Sequence, residues 1–233
     1  MDFVEGEILS FDKPYQWTSF DIVGKVRWMI CNKLGIKKLK VGHAGTLDPL
    51  ATGVVVICTG HCTKRIDELQ AHEKEYIATL QLGATTPSYD LEKPIDNTYT
   101  TDHITEALVA ETLKSFEGHI WQTPPMFSAV KINGKRAYDY ARKGESAEIK
   151  PKQITIQEIE TLSFDPTTML LRIRVRCSKG TYIRALARDI GEALHSGAYL
   201  TELRRTRVGD YRVEDSLTLE QFEAILNSSA LPQ

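Results

Sequence analysis

Residues 41–58 read VGHAGTLDPLATGVVVIC. The first part, Gly42 to Gly53, is rich in glycine, proline and threonine and predicts irregular backbone. The second, Val54–Cys58, is an apolar block of the length of a buried strand. Asp48 stands in the loop just ahead of that strand. Pro49 biases Asp48 toward an extended conformation, and the flanking glycines permit positive φ or close backbone approach. A carboxylate on such a loop is a candidate catalytic group. The same pattern also serves a plain turn in which Asp48 bonds nearby amides.

Outward from this loop, strands and helices mix. Before it, Thr18 opens a helix on which Phe20, Val23, Val26 and Ile30 recur at helical spacing, with Asp21 placed for a capping box. Gly35–Lys40 is a basic loop. After it, Cys62, Ile66 and Leu69 mark a short helix, and Glu75–Leu82 alternates like a strand. Residues 84–101 are a polar, acidic loop, and Asp102 is placed to cap a helix ending near Gly118. Asn133-Gly134 signals a two-residue hairpin turn. Strands are expected over 153–163 and 169–178. The second sets Ile173, Val175 and Cys177 on one face and Arg172, Arg174 and Arg176 on the other, either solvated or turned to phosphates. Ile183, Leu186, Ala187, Ile190 and Leu194 define a further amphipathic helix. Thr218 to Gln221 starts the last one, with Leu219, Phe222 and Leu226 inward. Hairpin connections among mixed elements point to an α+β fold on a largely antiparallel, mixed central sheet flanked by helices and loops.

The 233 residues are 42% apolar, 26% charged and 8% aromatic, the make-up of a folded chain rather than a collagen-like or disordered one. No run approaches the roughly 18 apolar residues of a membrane helix, and the N-terminus lacks the pattern of a secretory signal, so a cytoplasmic location is expected. The net charge is −2, but it is unevenly spread. Residues 12–65 hold nine Lys/Arg and three Asp, and 172–212 hold ten bases and four acids, whereas 86–117 hold seven acids and two bases. The two basic blocks are either one face for a polyanion or scattered solvated residues. Cys31, Cys58, Cys62 and Cys177 lack a second ligand pair at zinc-finger spacing and read as reduced structural cysteines. The dinucleotide fingerprint and the P-loop are both missing.

Read whole, Gly42-His-Ala-Gly-Thr-Leu-Asp48-Pro-Leu-Ala-Thr-Gly53 resembles the catalytic-loop signature of the TruB family of tRNA pseudouridine synthases. Five other blocks are similar to that family in the same order: Asp12-Lys-Pro14 with Thr18-Ser19; Lys74-Glu-Tyr76; Gln122 to Lys135; Cys177-Ser-Lys-Gly-Thr-Tyr182-Ile-Arg184; and Leu200 to Gly209. Three departures stand out. Gln16 occupies a position where the family usually has Gly, and the segment after Thr85 differs from the family's Thr-Asp-Thr, leaving the role of Asp90 open. Few residues follow Gly209, so residues 1–212 are expected to form the catalytic domain and 213–233 a short acidic helical tail, with no PUA-type domain.

The resemblance implies isomerisation of the T-loop uridine of tRNA, position 55, to pseudouridine. That reaction breaks the N1–C1′ bond, turns the base over and joins C5 to C1′; it is redox-neutral and demands no metal or cofactor. The resemblance assigns Asp48 the essential carboxylate role, as nucleophile or base. It pairs Arg184 with that carboxylate and sets Tyr76 against the extruded uracil. His43 takes the vacated place in the RNA loop. Tyr182 and Leu203 wall the base pocket, and Lys64, Arg204, Arg205 and Arg207 are candidates for backbone phosphates. The implied partner is the tRNA T-stem-loop, met by a monomer with no membrane. Two other readings are a non-catalytic tRNA-binding or tRNA-folding chaperone and a guide-dependent synthase of the dyskerin type. The set of Asp48, Tyr76 and Arg184 argues against a pure binder, and the short chain against the guided enzyme.

Overall fold

The computed structural model describes residues 1–128, 130–132, 135–137, 140 and 149–228. In chain order the elements are β1 (Ile8–Lys13), α1 (Ser19–Leu34), β2 (Val41–His43), β3 (Ala51–Thr59), a 3-10 turn (Gly60–Arg65), α2 (Ile66–Ala71), β4 (Lys74–Leu82), β5 (Ala84–Thr85), β6 (Asn97–Thr98), α3 (Glu106–Lys114), β7 (Gly118–Gln122), β8 (Lys131–Ile132), β9 (Lys135–Arg136), β10 (Lys152–Asp165), β11 (Leu170–Cys177), α4 (Ile183–Ala193), β12 (Ala198–Val208), β13 (Tyr211–Arg212) and α5 (Leu219–Ser228). The class is α+β with a mixed, largely antiparallel sheet.

Two compact units share these elements: Met1–Tyr76 with Arg204–Gln233, and Ile77–Leu203. Strands β4 and β12 therefore contribute to both. In the first unit β1 pairs antiparallel with β3, from Ile8↔Cys58 to Lys13↔Gly53, and β2 pairs with β3 on the loop side, from Val41↔Thr59 to His43↔Ile57. Every residue of Val54–Cys58 is fully buried, which is why that strand reads as an unbroken apolar run rather than an alternation. Val54, Val56 and Cys58 pack with Ala44, Leu69 and Val208. Burial also pushes the Cys58 thiol up to about 11, so it stays protonated and inert at neutral pH.

Helix α1 starts as expected. Thr18 accepts from the Asp21 amide and Asp21 accepts from the Thr18 amide, a complete capping box. Its inward face is Ile22, Val23, Val26, Met29 and Ile30. Phe20, expected inward, instead points to solvent at 67% exposed. At the other end of the chain Thr218 and Gln221 form a second capping box. Phe222 of α5 is buried edge-on against Phe3 and Phe11, so residues 213–228 contribute to the core of the first unit.

In the second unit β10 pairs antiparallel with both β11 and β7, with bulges between Ile156 and Glu158 and between Thr161 and Ser163. Ile173, Val175 and Cys177 face the core, as their alternation predicts. The outward Arg174 bonds Glu158 and Glu160, and Arg176 bonds Glu158, so those two guanidinium groups of the free protein meet carboxylates across the strand pair. Helix α4 buries Ile183, Leu186, Ala187 and Ile190.

Several local expectations are corrected. The third helix is capped by Thr105, not Asp102, and ends at Lys114; a hydroxyl one residue before the first helical turn outcompetes an acid three residues earlier. The supposedly irregular stretch from Val41 contains β2, because three residues suffice to pair with β3. The acidic segment 84–101 carries the β5–β6 pair, Ala84↔Thr98 and Thr85↔Asn97. Asn133-Gly134 lies outside the described residues, though Lys131 and Ile132 pair with Arg136 and Lys135 around it.

Candidate active site

The Asp48 loop joins β2 to β3. An irregular loop leaves carbonyls without ladder partners, and each buried one needs a donor. Three side chains of the first unit supply them. Arg205, on β12 and only 1% exposed, donates to the carbonyls of Val54 at 2.7 Å, Thr46 at 3.2 Å and Gly45 at 3.3 Å. Lys13, wholly buried at the end of β1, donates to the carbonyls of Trp17 at 2.6 Å, Pro14 at 2.9 Å and Pro49 at 3.3 Å. Ser19, at the start of α1, accepts from the Leu47 amide at 2.8 Å and donates to the Leu47 carbonyl at 3.2 Å. Donors thus grip the backbone immediately before and after Asp48.

Asp48 itself is half-buried, and its carbonyl accepts from the Ala51 amide at 3.1 Å. Gly53 allows the loop to close: its φ is +106°, and a Cβ there would stand 2.1 Å from the Arg205 carbonyl. Burial lowers the Lys13 ammonium to about 8, with Asp48 the largest of the influences acting the other way. Gln16, where the family usually has Gly, takes the left-handed φ of +66° and donates its amide to Pro49 O at 2.9 Å. The turn keeps the shape a glycine would favour, at some steric cost.

His43 ends β2. Burial pulls its pKa below the usual histidine value, so the ring is uncharged at neutral pH, and its Nδ1 is buried without a hydrogen-bond partner among the described residues. Tyr76 is buried on β4. Two residues earlier, the buried Lys74 donates to the carbonyls of Gln70 and His72 at the end of α2, which explains the lysine in the Lys-x-Tyr pattern.

The second unit holds Tyr182, Arg184 and Leu203. Arg184, buried at the start of α4, donates to the carbonyls of Phe127 at 2.8 Å and Ser88 at 3.3 Å, and its Nε lies 3.7 Å from Asp90 Oδ2. Asp90 is itself buried, and its carboxylate accepts from the Glu92 amide. The sequence left Asp90 open; in the structure its carboxylate lies within ion-pair distance of Arg184. Tyr182 is the residue before α4, and its amide donates to Gln122 Oε1 at 2.8 Å. Tyr182 and Leu203 are both half-buried.

One expected phosphate contact is overturned. Arg205 is buried and its guanidinium is used by the loop carbonyls of Gly45 and Thr46 and by Val54 of β3, so it ties the Asp48 loop to its strand instead of facing solvent. Arg204 forks onto both oxygens of Asp12, at 2.7 and 3.1 Å, and onto Thr52. Lys64 is exposed on the 3-10 turn and Arg207 half-buried on β12. Sequence reasoning gave no role to Lys13, Ser19 or Gln122. All three sit inside the quoted blocks, and that membership was the available signal.

A family model described as TruB family pseudouridylate synthase (N terminal domain) matches residues 32–183. The chain belongs to the TruB family. A second TruB-type model, the tRNA pseudouridylate synthase B C-terminal domain, matches residues 184–231. The tRNA pseudouridine synthase B of Phocaeicola vulgatus is 64% identical over 233 residues, spanning 100% of this chain and 98% of that protein. The tRNA pseudouridine synthase B of Flavobacterium johnsoniae is 52% identical over 226 residues, spanning 97% and 98%. Among solved structures, a chain in a Cbf5-Nop10-Gar1 complex matches with a TM-score of 0.70 and 30% identity, over 95% of this chain and 54% of that one. A chain of an H/ACA RNP bound to a substrate RNA containing 2′-deoxyuridine matches with a TM-score of 0.67 and 27% identity, over 95% and 53%. This TruB-family chain therefore spans about half the length of those two structural neighbours. Among the described residues no helix is long and apolar enough to cross a membrane.

Proposed function

We propose that this TruB-family protein isomerises the T-loop uridine of tRNA, position 55, to pseudouridine, with Asp48 as the essential carboxylate. The observation that carries the reading is the scaffold around Asp48. Two buried cations and a buried serine hold the backbone on both sides of it, so the carboxylate is presented from a fixed loop rather than a mobile one. A group that attacks C1′, or takes a proton from C2′, needs that preorganisation.

The uridine leaves its stack before it reacts, which costs a few kcal/mol. An uncharged His43 suits the vacated place, since inserting a neutral ring among bases avoids desolvating a cation. Tyr76 serves as the surface against the extruded uracil, and its phenol takes part in moving the C5 proton once the new bond has formed. Arg184 is assigned the counter-charge to the catalytic carboxylate, and Tyr182 and Leu203 the walls of the base pocket. Lys64 and Arg207 remain as phosphate contacts that position the RNA without reading its sequence. The protein acts as a monomer in the cytoplasm on the T-stem-loop.

The test is tritium release from a C5-labelled tRNA transcript. Asp48→Asn is expected to release no tritium while tRNA binding stays within a fewfold, and a transcript with cytidine in place of the T-loop uridine is expected to be inert. Normal turnover by Asp48→Asn would overturn the assignment.

A further inference from the structure

Helix α1 and the turn before it expose an aromatic surface that the proposed reaction does not use. Tyr15, Phe20 and Trp28 are 50%, 67% and 55% exposed. An open hollow of about 510 Å³ lies here, lined by Gln16, Trp17, Phe20, Asp21, Gly24 and Lys25. Gly24 stands midway between Phe20 and Trp28 on one face of the helix, and a Cβ placed on it would meet nothing within 4 Å. Glycine is among the poorest residues for a helix interior, and no neighbour demands it here. Its effect is to keep the floor of the hollow open.

The hollow adjoins the Asp48 loop. Gln16 donates its amide to the Pro49 carbonyl, and Lys13 bridges the carbonyls of Trp17 and Pro49. Its lining is charge-balanced, Asp21 against Lys25, and the positive excess that suits a polyanion lies beyond it. Lys25 sits at the rim, 4.8 Å from the centre of the Trp28 ring. Lys33, Lys37, Lys38 and Lys40 are exposed further along, and none is ion-paired among the described residues. Of the nearby acids, Asp21 is engaged by the Thr18 cap, and Glu220 of α5 lies within reach of Lys25.

Flat aromatic faces beside unpaired lysines are the elements with which proteins hold unstacked bases while tracking the backbone. We propose that this hollow is a stacking subsite for an unpaired base of the RNA substrate, a nucleotide other than the reacting uridine, with the lysines along and beyond α1 following its phosphates. The proposal rests on the reading of the chain as an RNA-modifying enzyme and adds a second base contact to it.

The test uses the full chain with Trp121→Phe, which leaves Trp17 and Trp28 as the fluorophores, and a synthetic tRNA T-stem-loop as probe. The stem-loop is expected to quench the tryptophan emission. Phe20→Ala, which removes the stacking face, and Gly24→Gln, which fills the hollow with a better helix former, are each expected to raise its Kd about 10-fold, the scale of one lost base–aromatic stack. The single-turnover rate at saturating RNA is expected to stay unchanged. Unaltered Kd values in both variants would overturn the subsite. So would a Phe20→Ala effect confined to a concentration-dependent dimer, which would make the face a contact between copies. Absence of tritium release by the parent protein, with the binding losses intact, would instead overturn the proposed reaction and leave the subsite standing.

Discussion

Arg205 on β12 and Arg174 on β11 look alike in the sequence, each an arginine in a basic strand. Their surroundings could hardly differ more. Arg205 is 1% exposed and satisfies two carbonyls of the Asp48 loop and one of β3, whereas Arg174 lies on an outward strand face and meets Glu158 and Glu160. A regular sheet satisfies its own backbone, so its arginines are left to pair with side chains in water. An irregular loop cannot, so a buried cation becomes the partner of its backbone. Lys13 and Arg205 place buried charge against the irregular backbone on which the candidate catalytic acid stands.

Substituting the two arginines offers the sharpest way to break this contrast. Arg205→Met is expected to cost about 3–5 kcal/mol, because it strands buried carbonyls, while Arg174→Met is expected to leave the urea midpoint nearly unmoved. Equal effects would erase the distinction between loop and sheet.

Lys13 comes next. Its folded pKa, near 8, lies below the 10.5 of the unfolded chain, so between these values the unfolded state binds more protons and stability rises with pH. Wild-type protein is expected to gain stability between pH 8 and 10.5 by up to about 3 kcal/mol, and Lys13→Met to lose that dependence. Urea titrations across the range check it. A smaller effect is expected at Gln16. Gly in its place relieves the left-handed backbone but frees the unfolded chain, for a net gain of under about 1 kcal/mol in thermal unfolding. Smallest of all, Glu158→Gln on the sheet face is expected to move the midpoint slightly in low salt and not at all in high salt, since an exposed network is screened.

Much of the architecture was legible residue by residue. Thr18 and Asp21 announced α1, the apolar block 54–58 announced β3, and alternation from Ile173 to Cys177 announced β11. Periodicity failed where it had no neighbour to consult: Phe20 stands three residues before Val23, yet the buried face of α1 runs through Ser19, Ile22, Val23 and Val26 and leaves Phe20 outside it. A hydroxyl at Thr105 displaced Asp102 as a cap, and β2 was hidden because a three-residue strand has no period to detect. For the candidate site, the quoted blocks nominated Asp48, Tyr76 and Arg184. They gave no sign that Lys13 and Ser19 clamp the loop, or that Asp90 faces Arg184.

Taken alone, the amino-acid order determined the kinds of element, the caps of the first and last helices, and the loop that carries the acid, because those depend on side-chain type and short-range spacing. Only the tertiary structure decided which cations are buried and what each one holds. A buried guanidinium is set by unpaired carbonyls distant in the chain: Arg205 and Thr46 are neighbours only after folding.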